Sequence, residues 1–179
     1  MITVTEEQWI NEICEKNIRQ EDISLLLVET LIKHGMKISS AESCTGGLIS
    51  KKITDISGSS AVFDCGICSY SNGIKEKLLG VDKNVLDTLG AVSEETALQM
   101  AEGIKTVSQS NIAVSTTGIA GPTGGTENKP VGLVYIGVAK KDGGCFAVKA
   151  LFGEKNERSR IRELAADCAL YLAYKELIR

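Results

Sequence analysis

The sequence predicts an α/β protein, a three-layer α/β/α sandwich around a mixed, mostly parallel sheet with one antiparallel hairpin. Three observations predict it. Segments with helical apolar spacing separate most of the short β-branched runs, as strand–helix–strand units require. Turns rich in Ser, Thr and Gly stand where strands give way to helices. Lys141-Asp-Gly-Gly144 lies between two apolar runs, a strong hairpin signal.

Each element follows in order. Glu6 to about Lys16 reads as a short helix capped by Thr5. Asp22 caps the strongly apolar Ile23–Ile32 helix, which stops at His34-Gly35 because glycine accepts the left-handed conformation of a helix end. Met36–Ala41 is the first core strand. A turn at Glu42–Thr45 leads into a helix over about Gly46–Thr54, and Asp55–Ser59 is a loop. Ala61–Ser71 is the longest strand candidate, with a helix beginning near Asn72. Asp82–Thr88 is a small helix. Ser93-Glu-Glu-Thr96 is a capping-box variant that opens a helix to about Ser108. Ile112–Thr117 is a short β-branched strand, followed by a glycine-rich loop through Pro130. Val131–Lys140 and Cys145–Phe152 are the hairpin arms. From about Asn156 to the end, Ile161, Leu164, Ala165, Cys168 and Tyr171 recur near helical spacing. No internal repeat or linker interrupts residues 1–179, which are expected to form a single domain.

Composition narrows the function. A chain of 179 residues, 43% hydrophobic and 24% charged, suits one full core rather than disorder. Its formal net charge of −3 supplies no footprint for nucleic acid or for an anionic membrane surface. No apolar run approaches the roughly 18–20 residues of a membrane span, and the amino terminus lacks signal-peptide features, so a cytoplasmic location is expected. The cysteines are Cys14, Cys44, Cys65, Cys68, Cys145 and Cys168. Cys65 and Cys68 form a C-x-x-C pair, but three positions apart on a strand they point to opposite faces, so buried reduced thiols are expected rather than a shared zinc. Neither a metal nor a cofactor is expected.

Four constellations carry chemistry. Ala41-Glu-Ser-Cys-Thr-Gly-Gly47 spans a strand-to-helix turn, where free amides and the positive helix end can hold a phosphate or an oxyanion. The same residues equally suit a plain helix cap. Ser69-Tyr-Ser-Asn-Gly-Ile-Lys75 sits at the next such junction, and Lys75 becomes a base where desolvation lowers its pKa. Alone, it reads as a solvated lysine. Thr116-Thr-Gly-Ile-Ala-Gly-Pro-Thr-Gly-Gly125 permits close backbone approach and threonine bonds to phosphate, yet matches neither a Walker A nor a dinucleotide fingerprint. Arg158 and Arg162 share one face of the last helix and can clamp an anion, with helix-surface pairing to Glu154 or Glu163 the competing reading and the better one for Arg162. The lone histidine, His34, reads as a helix cap, so the base of any hydrolase here is more plausibly a lysine than a histidine.

Together with Gly58-Ser-Ser-Ala61, Gly90-Ala-Val-Ser93 and Lys129-Pro-Val-Gly132, these segments resemble the CinA carboxyl-terminal domain family from about Asp22 onward. Its stand-alone members are nicotinamide-nucleotide amidohydrolases. The resemblance implies hydrolysis of nicotinamide mononucleotide to nicotinate mononucleotide and ammonia, in pyridine-nucleotide salvage. It maps Ser43 as nucleophile and Lys75 as its base, with Tyr70 nearby. Amides near Thr45–Gly47 are the expected oxyanion donors. Cys44, Thr45, Gly46, Gly47, Thr117, Gly118, Gly121 and Arg158 are expected to bind substrate, the phosphate lying on the Gly118–Gly121 loop or against Arg158. Cys44 is the rival nucleophile, since thiolates form readily at helix amino termini. The larger family members carry a further amino-terminal domain, so the amidase activity alone is expected. Expected partners are the small nucleotide substrate and further copies of the chain, with neither nucleic acid nor membrane. Competing readings are a non-catalytic nucleotide-binding regulatory module and, from the apolar Ile23–Ile32 helix, an oligomerising domain.

Overall fold

The computed structural model describes residues 2–140 and 142–178. Six strands form one sheet: β1 (Ile2–Thr5), β2 (Ile38–Glu42), β3 (Phe63–Cys68), β4 (Ile112–Gly118), β5 (Leu133–Ala139) and β6 (Cys145–Leu151). Their order is β1-β6-β5-β4-β2-β3. The β2/β3, β2/β4 and β1/β6 ladders are parallel, and β5 alone runs against the rest, antiparallel to both β4 and β6. The sheet is therefore mostly parallel with the β5–β6 hairpin at one side, as expected.

The helices are α1 (Glu6–Glu15), α2 (Ile23–His34), α3 (Leu48–Thr54), α4 (Asn72–Leu79), α5 (Lys83–Thr88), α6 (Glu94–Ser108) and α7 (Arg158–Leu177). Helices α2, α3 and α7 cover one face, where Leu27, Val28, Leu31, Ile49, Ile53, Ile161, Leu164 and Tyr171 pack against Ile38, Val114 and Ile136. Helices α4, α5 and α6 cover the other, with Leu79, Leu86, Met100, Ala101 and Ile104 against Ala41, Ala113 and Ala139. Burial on both faces explains why every residue of β2 is inaccessible to solvent. None of the described helices is long and apolar enough to cross a membrane.

Several local signals act as the sequence suggests. Thr5 and Gln8 form a full capping box on α1. Gly35 ends α2 in the left-handed region at φ +60°, and Ser93 accepts from the Thr96 amide at the start of α6.

Other expectations are corrected. The first strand is β1, not the 36–41 segment, and it pairs with β6 from Ile2↔Val148 to Thr5↔Leu151. Its four residues are too few for an alternation pattern, and pairing with a strand far along the chain creates it. Asp22 does not cap α2, because its carboxylate is turned to Arg19, 2.6 Å from Nε. Strand β3 is six residues rather than the longest: Ser59–Ala61 forms a 3-10 turn before it, and residues 69–71 leave the ladder to start α4. Cys65 is half-buried and Cys68 exposed, both free, on a strand that lies at the edge of the sheet. Lys141, expected in the hairpin turn, and Arg179, expected at the end of the last helix, lie outside the described residues.

One helix contact sets a stability prediction. A Cβ at Gly103 of α6 would stand 1.9 Å from the Leu79 carbonyl oxygen at the end of α4. Alanine normally gains about 1 kcal/mol over glycine inside a helix. Here a backbone clash opposes that gain, and overpacking costs about 1–3 kcal/mol. Gly103→Ala is expected to destabilise the protein in chemical denaturation, against the ordinary propensity trend.

Candidate active site

Strands β2, β3 and β4 end at the same edge of the sheet, and β6 leads from that edge into α7. Parallel strands thus deliver four connections to one crevice, where ligand sites of open α/β sheets form. The first is residues 43–47, between β2 and α3. The Ser43 amide donates to the Thr116 carbonyl of β4 at 2.9 Å. Gly46 and Gly47 then take φ values of +58° and +95°, which reverse the chain without the strain a side chain would add. The Thr45 carbonyl accepts from Arg162 Nη2 of α7 at 2.5 Å.

The preceding residue, Glu42, is fully buried. Its Oε2 accepts from Thr45 Oγ1 (2.8 Å) and from the Gly47 and Ile49 amides (2.9 and 3.0 Å). Its Oε1 accepts from the Ser50 amide and hydroxyl (2.9 and 2.7 Å) and, at 3.4 Å, from Ser40 Oγ. The Gly47 amide, expected to face an oxyanion, is committed to this carboxylate. Among the described residues, the Thr45 and Gly46 amides have no protein acceptor.

The second connection supplies Lys75. Ser71 caps α4 through the Ile74 amide, and the first turn of that helix directs Lys75 into the protein, where it is 0% exposed. Its Nζ stands 3.1 Å from Ser43 Oγ, 2.6 Å from the Ser69 carbonyl and 3.3 Å from the Tyr70 carbonyl. A neutral amine that donates to both carbonyls keeps its lone pair for the Ser43 hydroxyl. Burial pushes the Lys75 ammonium below the ordinary lysine range. The opposing influence is a negative charge on Cys44, whose thiol burial pushes up to about 12. At neutral pH that thiol is uncharged, so burial of the lysine prevails.

The rim carries the remaining groups. Tyr70 is 68% exposed. Its phenol lies 3.4 Å from Arg158 Nη2, and only its carbonyl meets Lys75. The Tyr70 side chain thus leaves the end of β3 outward, toward Arg158 rather than toward Lys75. Arg158, exposed in the first turn of α7, donates through Nη1 to the Gly121 carbonyl at 2.8 Å. Gly118 and Gly121 answer to packing, since a Cβ at either would meet Leu133 or Val131 within 2.6 Å. Thr117 is buried and its hydroxyl donates to the Ala91 carbonyl at 2.6 Å. The side chains of Thr117, Thr45 and Cys44 are all buried, and the Thr117 and Thr45 hydroxyls are hydrogen-bonded within the protein.

The fold brings Ser43, Lys75, Tyr70, Arg158 and the 43–47 turn together. The roles of two residues escape a reading of the sequence. Arg162, expected on the helix surface beside Glu163, instead grips the turn while Glu163 pairs with Lys52 at 2.7 Å. Glu42 gave one usable signal: an acidic residue five positions before a Gly-Gly helix start can reach back over the free amides.

The model of the CinA C-terminal domain matches residues 20–177. A CinA-like protein of Kosmotoga olearia is 49% identical over 162 residues, which are 90% of this chain and 38% of the relative. A CinA-like protein of Trichormus variabilis is 48% identical over 161 residues, 90% of this chain and 39% of the relative. The chain therefore spans little more than a third of the length of the curated relatives it matches. Among solved structures, the competence/damage inducible protein CihA of Agrobacterium tumefaciens superposes with a TM-score of 0.86 at 41% identity, covering 89% of this chain and 96% of that one. The family match begins at residue 20, so β1 and α1 lie outside it.

Proposed function

Since the chain belongs to the CinA C-terminal domain family, we propose that it is a cytoplasmic amidohydrolase of pyridine-nucleotide salvage. Its substrate is nicotinamide mononucleotide and its products are nicotinate mononucleotide and ammonia. The observation that carries this reading is the buried Lys75 amine 3.1 Å from Ser43 Oγ. A regulatory module that only binds a nucleotide needs no such desolvated base.

In this reading neutral Lys75 takes the Ser43 hydroxyl proton as Oγ bonds to the carboxamide carbon. The Thr45 and Gly46 amides face the developing oxyanion. The C–N bond then breaks, Lys75 returns the proton to the leaving nitrogen, and ammonia departs from an ester on Ser43. Lys75 next deprotonates a water that attacks the ester, Ser43 recovers a proton, and the carboxylic acid product leaves.

Arg158, with the loop over residues 118–121, is the group for the substrate phosphate, since its guanidinium is exposed beside the crevice. Ammonia release from nicotinamide mononucleotide, measured beside nicotinamide riboside, tests the reading. Turnover of the nucleotide with weak turnover of the riboside is expected. Arg158→Ala is expected to raise KM about tenfold with kcat nearly unchanged, as for a group that binds ground and transition states alike. Nucleotide binding without ammonia would favour the regulatory module.

A further inference from the structure

Why is a carboxylate buried one residue before the nucleophile, with no cation paired to it among the described residues? Burying a carboxylate is costly unless hydrogen bonds replace its water. Glu42 finds such bonds in three amides and two hydroxyls within 3.0 Å, and every one of them donates. An acidic or hydroxyl residue at the N-cap position would close α3 with less burial of charge. That position holds Gly47, which has no side chain to offer.

We infer that Glu42 is the positioning residue of the nucleophile: its carboxylate fastens the end of β2 to the start of α3 across residues 43–46, and so sets Ser43 Oγ against Lys75 Nζ. This rests on the reading of Ser43 and Lys75 as the reacting pair. Three further ties complete the clamp. The Thr45 hydroxyl bridges Glu42 Oε2 and Thr116 Oγ1 (2.8 and 2.7 Å), Arg162 holds the Thr45 carbonyl, and the Ser43 amide is bound to Thr116. None of Glu42's hydrogen bonds reaches Lys75, and the depressed Lys75 pKa arises from burial rather than from Glu42. The influence of Glu42 on the base thus passes through the position of Ser43 alone. Both carboxylate oxygens receive backbone N–H groups, so a glutamine must set its own NH2 against one of them.

The experiment compares the native protein with Glu42→Gln and Glu42→Asp. Ammonia release is measured across pH, alongside the rate at which a fluorophosphonate labels Ser43. The labelling reads the nucleophile whatever the natural substrate is. For Glu42→Gln a loss of about 100-fold in kcat and in labelling is expected, the scale of a nucleophile displaced by about 1 Å. KM should stay within about threefold, and the midpoint of the pH profile should not move. Glu42→Asp keeps the charge and should recover part of the labelling. A folded Glu42→Gln that labels at the native rate overturns the inference. If Glu42→Gln does not fold, Thr45→Val and Ser50→Ala each remove one hydroxyl from the carboxylate. Slower labelling in them supports the inference, and native rates in both overturn it. A native protein that labels at Ser43 but releases no ammonia counts against the proposed substrate only.

Discussion

Ser43→Ala is expected to lower ammonia release by about 10⁴-fold or more, on the scale seen when a nucleophile that acts as one unit with its base is removed. The loss of one half-buried hydroxyl should barely change stability, because the turn is held by its backbone and by Glu42 rather than by Ser43 Oγ. Cys44→Ala supplies the contrast. The Cys44 side chain is buried and its thiol is pushed up to about 12, which leaves almost no thiolate at neutral pH. Its removal should cost stability through a small cavity and leave turnover within about fivefold of native. Mass spectrometry of the enzyme quenched during turnover should find the acyl group on the peptide containing Ser43 and not in Ser43→Ala. An active Ser43→Ala beside an inactive Cys44→Ala would transfer the attack to the thiol.

Lys75→Met is expected to lower turnover by about 10³-fold, within the range for removing a positioned general base. In the native protein, activity should rise with pH as Lys75 loses its proton, with a midpoint below the ordinary lysine value of about 10.4. Lys75→Arg, which keeps its proton, should show no such limb. The same shift has a signed effect on stability. Below the depressed folded pKa both states are protonated, and the folded protein carries the whole cost of the buried charge. Between that value and about 10.4 the unfolded chain alone holds the proton, so stability rises with pH by up to about 1.4 kcal/mol per unit. Lys75→Met has no charge to bury. Its stability relative to native should therefore be most favourable at low pH and decline through that window, as read by denaturant titrations at several pH values. A difference that does not vary with pH would show that Lys75 is not held neutral by burial.

Much of the fold was legible in local patterns. Helices α2, α6 and α7 announce themselves through apolar spacing, Gly35 and Ser93, because propensity and capping are decided within one turn of chain. The β5–β6 hairpin follows from Asp142-Gly-Gly144 for the same reason. Strand β1 was not legible as a strand, since only its partner β6, more than a hundred residues away, makes four residues extended and paired. Asp22 misled because two partners compete for one carboxylate, and Arg19 wins.

The site divides along the same line. By itself the sequence determined which reactive residues the chain possesses and that they stand at strand-to-helix junctions, and with its one histidine at a helix end it pointed to lysine for the base of any hydrolase. It also carried the family resemblance. Only the tertiary structure decided that Lys75 is buried against Ser43, that the Tyr70 phenol faces Arg158, that Arg162 holds the turn and that Glu42 lies beneath it. Lysine, tyrosine and arginine are long side chains with several rotamers, and a carboxylate accepts whatever donor it meets. Their directions and pKa values come from neighbours that packing supplies, and packing joins residues far apart in the chain.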